Sequence, residues 1–241
     1  MTGPGEQLER AEAHPHTHSD VAGGRLRAAV FGAMDGLVTN TALVAGVGGA
    51  GAGSHAVVLS GVAGLAAGAI SMALGEYTSV STQNEQLDLE VAKERRELAA
   101  NPVGGQAELA QLWRDRGLDP QLADAVAEQL SRDPEQALRV HALNELGLDP
   151  EDKPSPTTAA VSSFLCFAVG ALIPLLPYLL GAPQLWLALL CGGAGLVAAG
   201  ALSARFTPRP WWSAGLRQLL FGAIAAGATY LIGAAIGSGA G

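Results

Sequence analysis

Two carboxylates stand where a lipid bilayer tolerates few. Asp35 lies inside the first apolar stretch and Glu76 at the end of the second, and residues 36–75 between them contain no Asp, Glu, Lys or Arg. Acids at membrane depth are expensive and usually mark a path for ions or protons. Met72 precedes Glu76 by four residues, one helical turn, so a thioether and a carboxylate share one face. A hard oxygen beside a soft sulfur is a poor match for Mg2+ or Ca2+. It suits a borderline cation such as Fe2+, with Mn2+ as a second candidate. Plainer roles stand beside these: Met72 as packing, and Asp35 as an interfacial carboxylate near the positive end of a helix dipole.

A second set of acids lies downstream. Glu90, Glu94 and Glu97 fall at i, i+4 and i+7, one stripe on a helix, and Glu108 and Glu145 are candidates to approach it from other helices. His141 sits one turn before Glu145. Carboxylates converging from separate helices are how bundles build divalent-metal sites. The alternative is a solvated acidic face paired with Arg95, Arg96 and their neighbours.

The elements that must position these groups are apolar and long. Spans are expected over residues 28–50, 55–80, 158–180, 184–204 and 212–236, each near the roughly 20 residues that cross a hydrocarbon core. Turns fall at Gly51–Ser54 and Gly181-Ala182-Pro183. Arg25 and Arg27 precede the first span; Lys93, Arg95 and Arg96 follow the second; Arg205, Arg209 and Arg217 separate the fourth from the fifth. The two turns and the tail after Ile236 carry no Lys or Arg, so the positive-inside rule puts the N-terminus in the cytoplasm and the C-terminus outside. Pro174 and Pro177 should kink the third span or mark its outer end. Trp186, Trp211 and Trp212 fall near span ends, as interfacial anchors do. Gly32/Gly36, Gly64/Gly68 and Gly233/Gly237 are spaced for tight helix crossings, within one subunit or between two.

Composition agrees. The chain has 241 residues, 49% of them hydrophobic, 15% charged, with 32 glycines, and a mean hydropathy of +0.27, which excludes an ordinary soluble domain. Residues 85–153 hold sixteen acids against eight bases, so the whole net charge of −8 sits there. Such a segment attracts cations and repels nucleic acid. Helices are expected at 83–99 (continuing the second span), 108–116, 120–130 and 134–146. Asn101-Pro102 acts as a stop, Gly104-Gly105 as a loop, and Asp119-Pro120 and Asp133-Pro134 as helix starts. Cys166 and Cys191 read as small buried hydrophobes. His14, His16 and His18 form either a metal-binding tail or part of a solvated terminus.

At these residues the chain resembles the vacuolar iron transporters and their bacterial relatives. The resemblance rests on DGLVTN at 35–40, SMALGEYTSVSTQ at 71–83, ERREL at 94–98 and HALNELGLDP at 141–150, and it covers nearly the whole chain. It implies an all-α membrane protein, a homodimer of five-helix subunits. A cytoplasmic helical metal-binding domain (83–153) would lie between spans one and two (25–82) and three to five (154–241), after a flexible N-terminus (1–24). The implied activity is export of Fe2+ or a similar divalent metal from the cytoplasm, across the cell (inner) membrane, in exchange for protons. Mn2+, Zn2+ and Co2+ are further candidate cargoes, and no prosthetic group is implied. Asp35 and Met72 match metal-binding positions in the membrane pathway, with Glu76 in the same motif. Glu94, Glu97, Glu108 and Glu145 match the glutamates of the cytoplasmic domain. Two departures stand out: Gly104-Gly105-Gln106 where relatives often have glutamates, and His141-Ala142 where a methionine pair can occur. The site should therefore hold fewer metals or favour other ions through an imidazole. The rivals are a membrane-anchored metal sensor or buffer, and a membrane oxidase of Fe2+. No Glu-x-x-His pair occurs within the bundle, which disfavours the oxidase.

Overall fold

The computed structural model of this chain describes residues 24–145, 147, 149–206 and 210–239. His14, His16 and His18 lie outside the described residues. Among those described there is no strand.

Two antiparallel helices open the fold. α1 spans Gly24–Gly49 and α2 spans Ser54–Ala100, with Gly51 taking a positive φ in the turn between them. α2 is unbroken over 47 residues, about 70 Å at 1.5 Å per residue. That is more than twice the hydrocarbon thickness, so its second half, from about residue 81, extends beyond the apolar span as the sequence predicts. After a short helical segment come α6 (Pro156–Leu172), α7 (Leu176–Leu179), α8 (Leu185–Ser203) and α9 (Trp211–Gly239). Pro174 interrupts the third span as expected. A tight 3-10 turn at Ile173–Leu175 separates α6 from α7, because proline lacks the N–H and crowds the preceding turn. Among the described residues five spans are long and apolar enough to cross a membrane: α1, α2, α6 continued through α7, α8 and α9.

α1 is the centre of the bundle, packed against α6, α9, α2 and α8. Lipid supplies no hydrophobic drive for helix association, so close backbone packing must do it. The three glycine pairs serve such crossings, and all lie within one chain. A methyl group on Gly36 would overlap the Phe167 carbonyl oxygen on α6, and one on Gly233 would overlap the Gly46 carbonyl on α1. Gly68 lies against the Phe167 ring. In the same apolar setting, Thr229 of α9 donates to the Ala42 carbonyl at 2.5 Å. Leu59, Val62, Ile70 and Leu74 of α2 point outward, as do Trp186, Trp211 and Trp212 near the span ends.

Between α2 and α6 the chain builds α3 (Pro102–Asp115), α4 (Pro120–Ser131) and α5 (Pro134–Glu145). Leu109, Ala110 and Ala127 form a small buried core there, with Leu112, Leu130 and Val140 against it. The Asp119 carboxylate caps α4 as expected, accepting from the Gln121 N–H at 2.9 Å. The expectation of a loop at Gly104-Gly105 is corrected. α3 begins at Pro102, six residues before the expected start, because Asn101 ends α2 and also caps α3. Its side chain accepts from the Gly104 N–H at 3.0 Å, and proline at the first position pre-sets the helical φ. Asn101→Ala is expected to lower the stability of this segment by about 1 kcal/mol, read as faster amide exchange at the start of α3. Arg95 on α2 grips both carboxylate oxygens of Glu135 on α5, and Asn84 donates to the Pro154 carbonyl at 3.0 Å. The segment is thereby tied to the α2 extension.

Candidate metal pathway and capture site

Antiparallel pairing decides where the membrane acids meet. Asp35 lies near the start of α1's apolar run and Glu76 near the end of α2's, so both fall at the same end of the bundle. One recess of ≈ 370 Å³ is lined by Asp35, Thr39, Met72, Glu76, Phe31 and Phe167 among others. Glu76 is buried at 8% exposure, Asp35 and Met72 are half-buried, and Thr39 and Ser71 are exposed at the mouth. Thr39 donates its hydroxyl to Asp35 Oδ1 at 3.2 Å. The recess thus presents two carboxylates, a thioether and hydroxyls, a mixed oxygen and sulfur set suited to a borderline divalent cation.

Asn40 lies beyond this recess in the packed interior. Its amide donates to the Ala171 carbonyl at 2.5 Å, and its Oδ1 has no partner among the described residues. Thr39 and Asn40 belong to the DGLVTN motif, but neither is assigned a role from sequence. Thr39, one turn after Asp35, could have been found by that spacing.

The second site forms where α2, α3 and α5 converge. Glu94, His141 and Glu145 each offer a ligand atom, and those atoms lie within 4.8 Å of one another. His141 Nδ1 is 3.4 Å from Glu94 Oε1 and 3.7 Å from Glu145 Oε1. Burial, then the charge of Glu145, hold the Glu94 carboxyl above the usual carboxylate range, with Glu97 and Glu108 pushing the same way and His141 opposing. Glu97 and Glu108 are exposed and shape the field around the trio. Glu90, grouped with this stripe in sequence, faces Lys93 at 3.7 Å instead. A stripe of 3.6-residue spacing fixes the face of a helix, but the partner helices cover only part of its length.

The comparisons with known proteins come down on one side. A sequence profile of the VIT family matches residues 26–234. The chain belongs to the VIT family. Vacuolar iron transporter 1 of Oryza sativa subsp. japonica is 34% identical over 92% of this chain and 91% of its own length. Vacuolar iron transporter 1 of Eucalyptus grandis is 31% identical over 98% of this chain and 96% of its own. A vacuolar iron transporter of Acanthamoeba castellanii is 40% identical over 64% of this chain and 55% of its own. VIT family proteins are transporters, so the chain is not an enzyme, and the oxidase alternative falls. Five apolar helices in a transporter family make it an integral membrane protein.

Proposed function

We propose that this chain exports Fe2+, with Mn2+ as a second candidate cargo, from the cytoplasm in exchange for protons. The observation that carries this reading is the convergence of Asp35, Met72 and Glu76 on one recess between α1 and α2. The names of the relatives supply iron as the cargo. The distribution of Lys and Arg supports an N-terminus and α3–α5 on the cytoplasmic side. In that orientation Glu94, His141 and Glu145 capture the ion and raise its concentration near the membrane end of α2. The ion then passes to Met72, Glu76 and Asp35. Carboxylates must release protons to bind metal, so one set of groups serves both ions in alternation.

The rim of the recess is exposed. Phe31, on its lip, is 59% exposed, and Thr39, Ser71 and Gly75 are exposed beside it. Hydroxyls and carboxylates facing acyl chains are costly, which supports a homodimer in which a second copy covers this face. Reconstituted protein should take up Fe2+ against an imposed pH gradient. Vesicles impermeable to every transition metal offered would end the transport reading and leave a membrane-anchored metal buffer.

The raised Glu94 has a consequence for stability. Its folded form holds its proton more tightly than the unfolded chain does. The stability linked to this is fully present below the ordinary carboxylate value, and is lost as pH rises through the raised one. A bound cation reverses that loss by compensating the charge. Metal-induced elevation of Tm should therefore be larger at pH about 7 than at about 5. Glu145→Gln, which removes the neighbouring charge, should flatten the dependence. A shift of Tm by metal that does not vary with pH would contradict the assignment.

A further inference from the structure

We propose that His141 binds metal through Nδ1, oriented by the Gly105 carbonyl, and that this nitrogen makes the capture site discriminate against Mn2+ in favour of Fe2+, Co2+ and Zn2+. The inference rests on the capture role given above to Glu94, His141 and Glu145.

The ring is 3% exposed and held at both nitrogens. Nε2 lies 3.2 Å from the carbonyl oxygen of Gly105 on α3. A carbonyl only accepts, so Nε2 carries the hydrogen, and Nδ1 is the nitrogen turned toward the carboxylates. A backbone contact that fixes the tautomer and aims the other nitrogen is the usual support of a histidine ligand. The spacing also fits. Two ligand atoms about 2.1 Å from a tetrahedral ion stand about 3.4 Å apart, and Nδ1 is 3.4 Å from Glu94 Oε1. That separation is longer than a charge-assisted hydrogen bond, typically about 2.7–2.9 Å. Glu145, at 3.7 Å and largely exposed, needs only a small rotation to join.

The backbone at position 105 is bare, which leaves room for Leu98 and the imidazole beside it. A side chain on Gly105 would overlap Leu98 of α2, and its first carbon would lie 3.7 Å from His141 Nε2. Absence of that side chain lets the start of α3 sit against both α2 and the imidazole. The two stretches that depart from the family pattern in sequence, at 104–106 and 141–142, therefore meet in space.

The chemical consequence follows from ligand type. Carboxylate and water oxygens suit Mn2+, whereas imidazole suits the later metals, whose affinity rises along the series from Mn2+. Three protein ligands leave coordination positions open, appropriate to a site that must hand its ion on.

The test uses full-length protein in detergent, in an Asp35→Ala background with His14, His16 and His18 each changed to Gln, so that neither the membrane recess nor the N-terminal histidines contribute. Mn2+, Co2+ and Zn2+ are titrated in competition. His141→Gln should weaken Co2+ and Zn2+ by more than about tenfold and change Mn2+ by less than about threefold. Glu145→Gln should weaken all three comparably and keep their order. X-ray absorption of the Co2+ and Zn2+ forms should show imidazole scattering that is lost in His141→Gln and retained in Glu145→Gln. If no metal binds the unmutated site, the capture reading falls and this inference with it. If metal binds but His141→Gln leaves both the ranking and the scattering unchanged, the imidazole assignment alone is overturned.

Discussion

Alanine at Asp35 is expected to reduce Fe2+ flux in proteoliposomes by two to three powers of ten, to the level of empty vesicles. Asp35 is one of two carboxylates in the recess, and its Oδ1 is held by Thr39. A dication moving from water into this low-dielectric region needs both charges. Removing one partner of a buried charge pair costs about 3–5 kcal/mol, and each 1.4 kcal/mol is about tenfold. Asp35→Asn should be nearly as damaging, since it keeps the shape and loses the charge. Thr39→Ala should cost about tenfold, the worth of one exposed 3.2 Å hydrogen bond to a carboxylate, at the low end for charged partners. This order, Asp35 far above Thr39, is diagnostic. Equal flux for Asp35→Ala and the unmutated protein would remove Asp35 from the pathway.

The largest structural effect is expected at Gly36. A Cβ there meets the Phe167 carbonyl and lies 2.9 Å from the Ala171 amide nitrogen. Both are backbone atoms, so no rotation relieves the overlap, and Gly36→Val must push α1 away from α6. Since α1 also carries the packing of α9, α2 and α8, the loss should exceed the roughly 1–3 kcal/mol typical of overpacking. Thermal unfolding in detergent should show a large fall in Tm or no folded species. Gly227→Ala is the contrast. It sits in α9 with open space around it, and it should be neutral or gain up to about 1 kcal/mol of helix propensity. Matched stabilities for the two variants would mean that α1 and α6 do not cross as described.

Much of this is legible in the amino-acid sequence. The spans announce themselves through length and the absence of charge, and Pro174 breaks the third where the missing N–H requires it. The convergence of Asp35 with Met72 and Glu76 follows from two antiparallel helices joined by a short turn. Local rules failed at Gly104-Gly105. Two glycines read as a loop, but the Asn101 cap and Pro102 start a helix that runs through both of them. The glutamate stripe shows the limit of periodicity. Glu90 and Glu94 share a face, yet only Glu94 reaches His141, because where α5 crosses is a tertiary matter. The glycine pairs marked contact points without saying which helices touched.

The unbroken length of α2 has a mechanical meaning. Glu76 and Glu94 are eighteen positions apart on one rod, about 27 Å, with no proline, glycine or 3-10 turn between them to act as a joint. A rod of that length transmits tilt: about 10° at the membrane end would sweep the far end through about 5 Å. On the proposed function, ion arrival at one end and rearrangement at the other would be two readings of a single rigid displacement.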